Sequence, residues 1–81
     1  MIKIYSTDFC GLCTKAKALL DDMGIPYDDI NIYKDVEAME VMREMEFTTV
    51  PQIMIEDVWI GGYEELAEMQ LDGALVHLTE D

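Results

Sequence analysis

The sequence predicts an α/β fold: a mixed four-stranded sheet flanked by helices, with elements in the order β-α-β-α-β-β-α. Three observations carry this. Short runs of β-branched and aromatic residues alternate with polar ones, as half-buried strands do. The segments between them repeat apolar residues every three to four positions, as amphipathic helices do. Gly, Pro and paired acidic residues fall at the boundaries. A β-α-β start supplies a parallel strand pair, and a hairpin and helix after it add antiparallel ones, with helices on both faces. Residues 1–81 read as one domain, without internal repeat or low-complexity segment.

The first strand is expected over residues 1–6, where Ile2, Ile4 and Tyr5 surround Lys3. Residues 11–23 form the first helix, with Leu12, Ala16, Leu19, Leu20 and Met23 at helical spacing and Gly24 placed to end it. Gly24-Ile25-Pro26 is a turn, and Tyr27 to Ile32 a second strand with Ile30 and Ile32 inward. Asp35 is positioned to cap a second helix running to about Glu46, whose apolar face is Ala38, Val41, Met42 and Met45. Its methionines, Met39, Met42 and Met45, read as core filling. Phe47-Thr48-Thr49 leads into a third strand, Val50 to Ile55. Glu56-Asp57 turns the chain into a short fourth strand, Val58-Trp59-Ile60, with Trp59 packed on the sheet. Gly61-Gly62 precedes a third helix, about Tyr63 to Leu71, and Ala74 to Leu78 form a last helical turn.

Composition narrows the function. A chain of 81 residues, 51% hydrophobic, supports one core and is not disordered. No apolar run approaches the length that crosses a bilayer. Met1 to Tyr5 lacks a signal peptide's apolar core, so a cytoplasmic location is expected. The net charge of −13, with no basic residue after Arg43, argues against nucleic acid and anionic membranes as partners. That acidity reads first as a solvated surface and second as steering toward a basic protein.

The chemistry concentrates at Cys10-Gly11-Leu12-Cys13, where the first strand gives way to the first helix. Unpaired N–H groups at a helix start favour an anion there, so the Cys10 sulfur is the one disposed to carry charge. A two-residue gap lets Cys13 reach back one turn and close a disulfide. Such a short loop does little to staple a fold, so in a cytosolic setting the pair points to redox chemistry or metal binding. Zinc is the weaker option, because the chain offers no second ligand pair.

Three motifs together carry a family likeness: Cys10-Gly11-Leu12-Cys13, Thr49-Val50-Pro51-Gln52, and Gly61-Gly62-Tyr63-Glu64-Glu65-Leu66. With their spacing kept from Met1 to about Leu71, the chain resembles the glutaredoxins, small members of the thioredoxin superfamily. The resemblance implies a thioredoxin-like fold and thiol–disulfide exchange with Cys10 as nucleophile and Cys13 as the more buried, less acidic resolving thiol. It implies a cis bond before Pro51 facing the thiols, with the Val50 backbone open to pair with an extended substrate; by itself Pro51 could simply start a strand. It places the γ-glutamyl end of glutathione at Gly62, Tyr63 and Glu64; a tight turn is the plain alternative. Phe9, Leu12, Thr49, Val50 and Pro51 complete the expected substrate contacts. Phe9 reads equally as core or as an apolar wall beside the thiols, a role Tyr63 could share.

The chain departs from the family pattern. Gly11-Leu12 replaces the usual Pro-Tyr, Thr7 stands where a lysine is usual, and Ala38 occupies the helix position that helps hold glutathione's glycyl carboxylate. Asp8 adds negative charge near Cys10, which Lys15 partly offsets. The resemblance implies glutathione as reductant with no tightly bound cofactor, and a monomer acting on disulfide-containing client proteins, ribonucleotide reductase among the candidates. Thioredoxin reductase is the other candidate donor. An alternative from a different class is a carrier of a [2Fe–2S] cluster bridged between the Cys10 thiols of two chains and two glutathiones. A third is a redox-idle module that recruits a partner through its acidic surface. His77 reads as incidental.

Overall fold

The computed structural model describes residues 1–76. Its elements follow the expected order: β1 (Ile2–Ser6), α1 (Gly11–Met23), β2 (Asp28–Asn31), α2 (Val36–Glu44), β3 (Gln52–Ile55), β4 (Val58–Gly61) and α3 (Tyr63–Leu71). The sheet order is β2-β1-β3-β4. β1 runs parallel to β2 and antiparallel to β3, and β4 returns antiparallel to β3.

Strand alternation sorts side chains onto two faces. Ile2, Ile4, Ile53 and Ile55 point to one face, where they meet Ala16, Leu19 and Leu20 of α1, Leu66 of α3, and Leu75. Tyr5 and Ile32 point to the other and meet Ala38 and Met42 of α2. Trp59 packs on that second face, its ring 5.1 Å from Tyr5 and 4.9 Å from Phe47, centre to centre. Of the three methionines expected as core filling, Met42 is buried and Met39 half-buried, but Met45 is exposed. It falls at the C-cap of α2, past the last helical residue.

All three helices close the same way. Within two residues of each helix end a residue adopts a left-handed conformation, and two backward N–H bonds satisfy the last carbonyls. After α1 this residue is Gly24 (φ 70°), with Gly24 and Ile25 N–H donating to Asp21 and Leu20 carbonyls. After α3 it is Gly73, with Gly73 and Ala74 N–H reaching Gln70 and Met69. After α2 it is Glu46 (φ 58°), with Glu46 and Phe47 N–H reaching Arg43 and Met42. The second helix therefore ends at Glu44, short of the expected Glu46.

The β3–β4 hairpin turns on Glu56 and Asp57, at φ 49° and 67°. Two successive left-handed residues twist a two-residue turn in the sense the strands require. β4 also runs one residue further than expected. A register shift between Ile53 and Met54 pairs Ile53 with Gly61 and Met54 with Trp59, so Ile60 bulges and Gly61 takes φ 109°. Beyond α3 the chain turns and buries Leu75 completely. His77 and Leu78, and with them the rest of the expected last turn, lie outside the described residues.

This topology gathers three chain segments at one end of the sheet. β1 ends where α1 begins; β3 starts beside that end, with Gln52 opposite Tyr5; and β4 finishes opposite Ile53, handing over to α3.

Candidate active site

Cys10 caps α1. Its backbone is extended (φ −134°, ψ 110°), and its Sγ accepts the Cys13 N–H at 3.1 Å. A cap side chain oriented this way takes one of the orphan N–H groups of the first turn. The Cys10 thiol also lies 3.7 Å from the Val50 carbonyl oxygen, to which it can donate. Thr14 fixes the same residue from behind, its N–H and hydroxyl both reaching the Cys10 carbonyl, at 3.1 and 3.2 Å. Cys10 is half-buried, whereas Cys13 has no accessible surface, and both are free thiols. Burial first, and then the hydrogen bond with Cys10, push the Cys13 thiol up to about 11.

The Val50–Pro51 peptide bond is cis, and Pro51 is buried. Gln52, also buried, holds the preceding loop through its side-chain amide, which donates to the Thr49 carbonyl (3.0 Å) and hydroxyl (3.3 Å). Gly62, the N-cap of α3, lies against this loop: a Cβ on it would stand 3.3 Å from the Pro51 carbonyl oxygen. Glu65 reaches back to accept the Gly62 N–H at 2.7 Å, so one of the free donors at the start of α3 is already taken.

Of the residues singled out in the sequence, the structure brings Cys10 into contact with both Cys13 and Val50 and sets Gly62 against Pro51. Thr49 is exposed on the loop, Tyr63 half-buried and Glu64 exposed. Phe9 is fully exposed, so it is no part of the core, and Leu12 is about half exposed. Two departures from the family pattern acquire a location. Ala38 is buried in the core between α2 and the sheet, with Tyr5, Ile32 and Met42. The Asp8 carboxylate accepts from Asn31 Nδ2 at 2.8 Å and lies 3.8 Å from Lys34 Nζ, so its charge is engaged at the end of β2.

Sequence reasoning missed a polar cluster beneath the second thiol. Lys17, one turn after Cys13, bonds Asp29 at 2.7 Å, and the buried Ser6 hydroxyl donates to the other Asp29 oxygen at 2.7 Å. Burial alone would raise the Asp29 carboxyl, but the bonds from Lys17 and Ser6 outweigh it and hold the group below its usual range. Burial alone would likewise lower Lys17, yet its bond to Asp29 raises it. The i, i+4 spacing of Cys13 and Lys17 on α1 was the available signal. Among the described residues, no three His, Cys, Asp or Glu side chains gather as a metal site.

A family model described as glutaredoxin matches residues 2–60. The chain is 34% identical over 82 residues to glutaredoxin 1 of Rickettsia felis, covering 98% of this chain and 80% of that protein. Its fold superposes on the buckwheat glutaredoxin–glutathione complex with a TM-score of 0.81 at 27% identity, covering 95% of this chain and 74% of that one. It also superposes on the glutaredoxin-like protein NrdH-redoxin of Escherichia coli, described as having a thioredoxin-like activity profile, with a TM-score of 0.74 at 26% identity, covering 86% and 92%. The three-helix, four-stranded mixed sheet is thus the thioredoxin-like fold in its glutaredoxin form. By sequence and by architecture, the chain belongs to the glutaredoxin family of thiol–disulfide oxidoreductases.

Proposed function

We propose that this protein reduces protein disulfides and glutathione mixed disulfides through Cys10 and Cys13. One observation supports this above the others: the accessible Cys10 sulfur sits at the start of α1 and against the Val50 carbonyl, with the Cys13 thiol buried one turn behind it. In the first step the Cys10 thiolate attacks one sulfur of the substrate disulfide. That S–S bond breaks and the other sulfur leaves as a thiolate that takes up a proton. Cys13 then loses its proton and attacks the Cys10 sulfur. The second substrate sulfur is released, and Cys10–Cys13 holds the two electrons' worth of oxidation. Val50 offers main-chain polar groups to an extended substrate, and the start of α3 offers a carboxylate the N–H groups of Tyr63 and Glu64, the Gly62 N–H being held by Glu65.

Glutathione is the reductant we favour, since a glutathione complex is among the folds this chain matches. Thioredoxin reductase is the competing donor, because Thr7 and the buried Ala38 supply neither of the usual grips on the glycyl carboxylate. The test couples the oxidised protein to NADPH through glutathione and its reductase, and separately through thioredoxin reductase. Turnover with glutathione is expected; turnover with thioredoxin reductase alone would replace that donor. Cys10→Ser is expected to abolish both reactions, and Cys13→Ser to stop protein-disulfide reduction while sparing removal of glutathione from a mixed disulfide. Full activity in Cys10→Ser would overturn the mechanism.

A further inference from the structure

The Val50 backbone that borders Cys10 also forms one wall of a cleft of about 230 Å³ between the Thr7 and Thr48–Thr49 loops and α2. Its apolar surface comes from Ile32, Met39, Met42, Phe47 and Val50. A second depression adjoins it along α2, sharing Ile32, Tyr33, Met39 and Arg43. There Asp35 and Glu40 join the exposed Tyr33 and Val36, so the apolar lining belongs to the first cleft, beside Val50. Arg43 lines both depressions. Lys17 and Lys34 are paired with Asp29 and Asp8, but Arg43 is in no ion pair among the described residues. In a chain of net charge −13, the first cleft thus combines an apolar floor with Arg43 as its one charged lining residue.

Resting on the exchange chemistry proposed above, we infer that this cleft selects polypeptide clients that carry a large apolar side chain next to the reacting cysteine, followed by a carboxylate that meets Arg43. The reasoning is steric and electrostatic. A chain joined to Cys10 and laid along Val50 must send one of its flanking residues over the shared wall into the cleft. An apolar side chain there leaves water for the surfaces of Met39 and Phe47. A carboxylate beyond it finds Arg43, the one charged side chain lining that cleft. Glutathione has no side chain beyond its cysteine and leaves the cleft floor wet. The residues that replace the family's carboxylate grips, Thr7 and Ala38, therefore accompany a pocket whose lining suits a different substrate class.

The test uses the Cys13→Ser protein, in which exchange stops at the mixed disulfide. It is incubated with an equimolar pair of peptides, each supplied as its disulfide with 2-mercaptoethanol and differing only as Cys-Leu-Glu against Cys-Gly-Glu. The reversed sequences Glu-Leu-Cys and Glu-Gly-Cys form a second pair. Attack by Cys10 on the peptide sulfur releases 2-mercaptoethanol, and intact-protein mass spectrometry counts the two adducts. In one chain direction the Leu adduct is expected to exceed the Gly adduct about tenfold, as filling an apolar pocket does. Met39→Glu is expected to bring that ratio close to one, and Arg43→Glu to make a Gln-for-Glu peptide the preferred partner. Equal Leu and Gly adducts in both directions, or a Leu preference unchanged by Met39→Glu, would overturn the inference and leave the oxidoreductase reading intact. Failure to form any adduct would overturn the exchange reading on which both rest.

Discussion

Cys10 and Cys13 stand three residues apart in opposite surroundings, and the division of labour proposed for them follows from that difference. Cys10 lies outside the first turn, in partial contact with solvent, and receives an N–H. Cys13 lies inside it, wholly buried, and is pushed up to about 11, first by desolvation and next by its bond with Cys10. This has a thermodynamic consequence for the reduced protein. The folded state holds the Cys13 proton more tightly than the unfolded chain, whose thiol titrates near 9.0. Above pH 9 the unfolded chain therefore gives up this proton first and gains relative to the native state. The stability contributed is complete below pH 9 and is lost progressively up to about pH 11, on the order of 3 kcal/mol in all. Urea unfolding of the reduced protein from pH 8 to 11, beside Cys13→Ala, measures it. The variant should be less stable at pH 8 and the gap should narrow as pH rises; a gap constant to pH 11 would show that burial does not hold this proton. The Ser6–Asp29–Lys17 cluster beneath the thiol shows why such details escape the sequence. Its members come from β1, β2 and α1, and only the parallel pairing of the two strands puts Ser6 and Asp29 within a hydrogen bond.

The three helix endings use one geometry with unequal residues. Gly24 and Gly73 occupy the left-handed position without steric cost, whereas Glu46 holds the same place with a side chain. A left-handed L-residue costs roughly 1–2 kcal/mol, of which part returns because glycine loses more freedom on folding. Glu46→Gly should therefore stabilise the protein by about 0.5–1 kcal/mol, read as a shift of the denaturation midpoint at unchanged slope. A destabilised Glu46→Gly would mean that the side chain contributes more than its backbone strain. The same contrast explains what could be read in advance. α1 was legible to its last residue because Gly24 announces its end. α2 was read too long because nothing in Glu44-Met45-Glu46 marks a stop. The β3–β4 turn was placed correctly from Glu56-Asp57, yet neither residue is the glycine or asparagine that usually signals two left-handed positions. The bulge at Ile60 had no local mark, since it arises from how β4 must register against β3 before Gly62 meets Pro51. At the site, motif spacing located both thiols and the Val50–Pro51 step. It gave no sign of the Met39–Arg43 cleft, which requires α2 to be docked on the sheet.

Eighteen acidic and five basic residues share a molecule with principal extents of 34, 23 and 21 Å. Those lengths decide how the charges act. At 0.01 M salt the screening length is about 30 Å, comparable with the whole molecule, so nearly every carboxylate opposes every other. At 0.1 M it is about 10 Å, and repulsion is confined to neighbours. Attraction is scarce: the described ion pairs join Met1 to Glu56, Lys17 to Asp29 and Lys34 to Asp8, and most of their charged groups are well exposed. Exposed pairs contribute at most about 1 kcal/mol each, and salt weakens them too. Repulsion is denser in the second half, where no basic residue follows Arg43 while Glu64, Glu65 and Glu68 crowd α3. Screening should therefore favour the compact state. Thermal unfolding from 0.01 to 0.15 M sodium chloride is expected to show Tm rising by about 4–8 °C, equivalent to roughly 1 kcal/mol for a domain of this size, and then levelling off. The plateau is the informative part, because stabilisation by screening must saturate once the screening length falls below the spacing of neighbouring carboxylates. A Tm that instead fell with salt would mean that the Lys17–Asp29 and Lys34–Asp8 pairs outweigh the net repulsion. The negative surface would then be a set of local attractions around the site, and the acidity of the second half would be electrostatically neutral to folding.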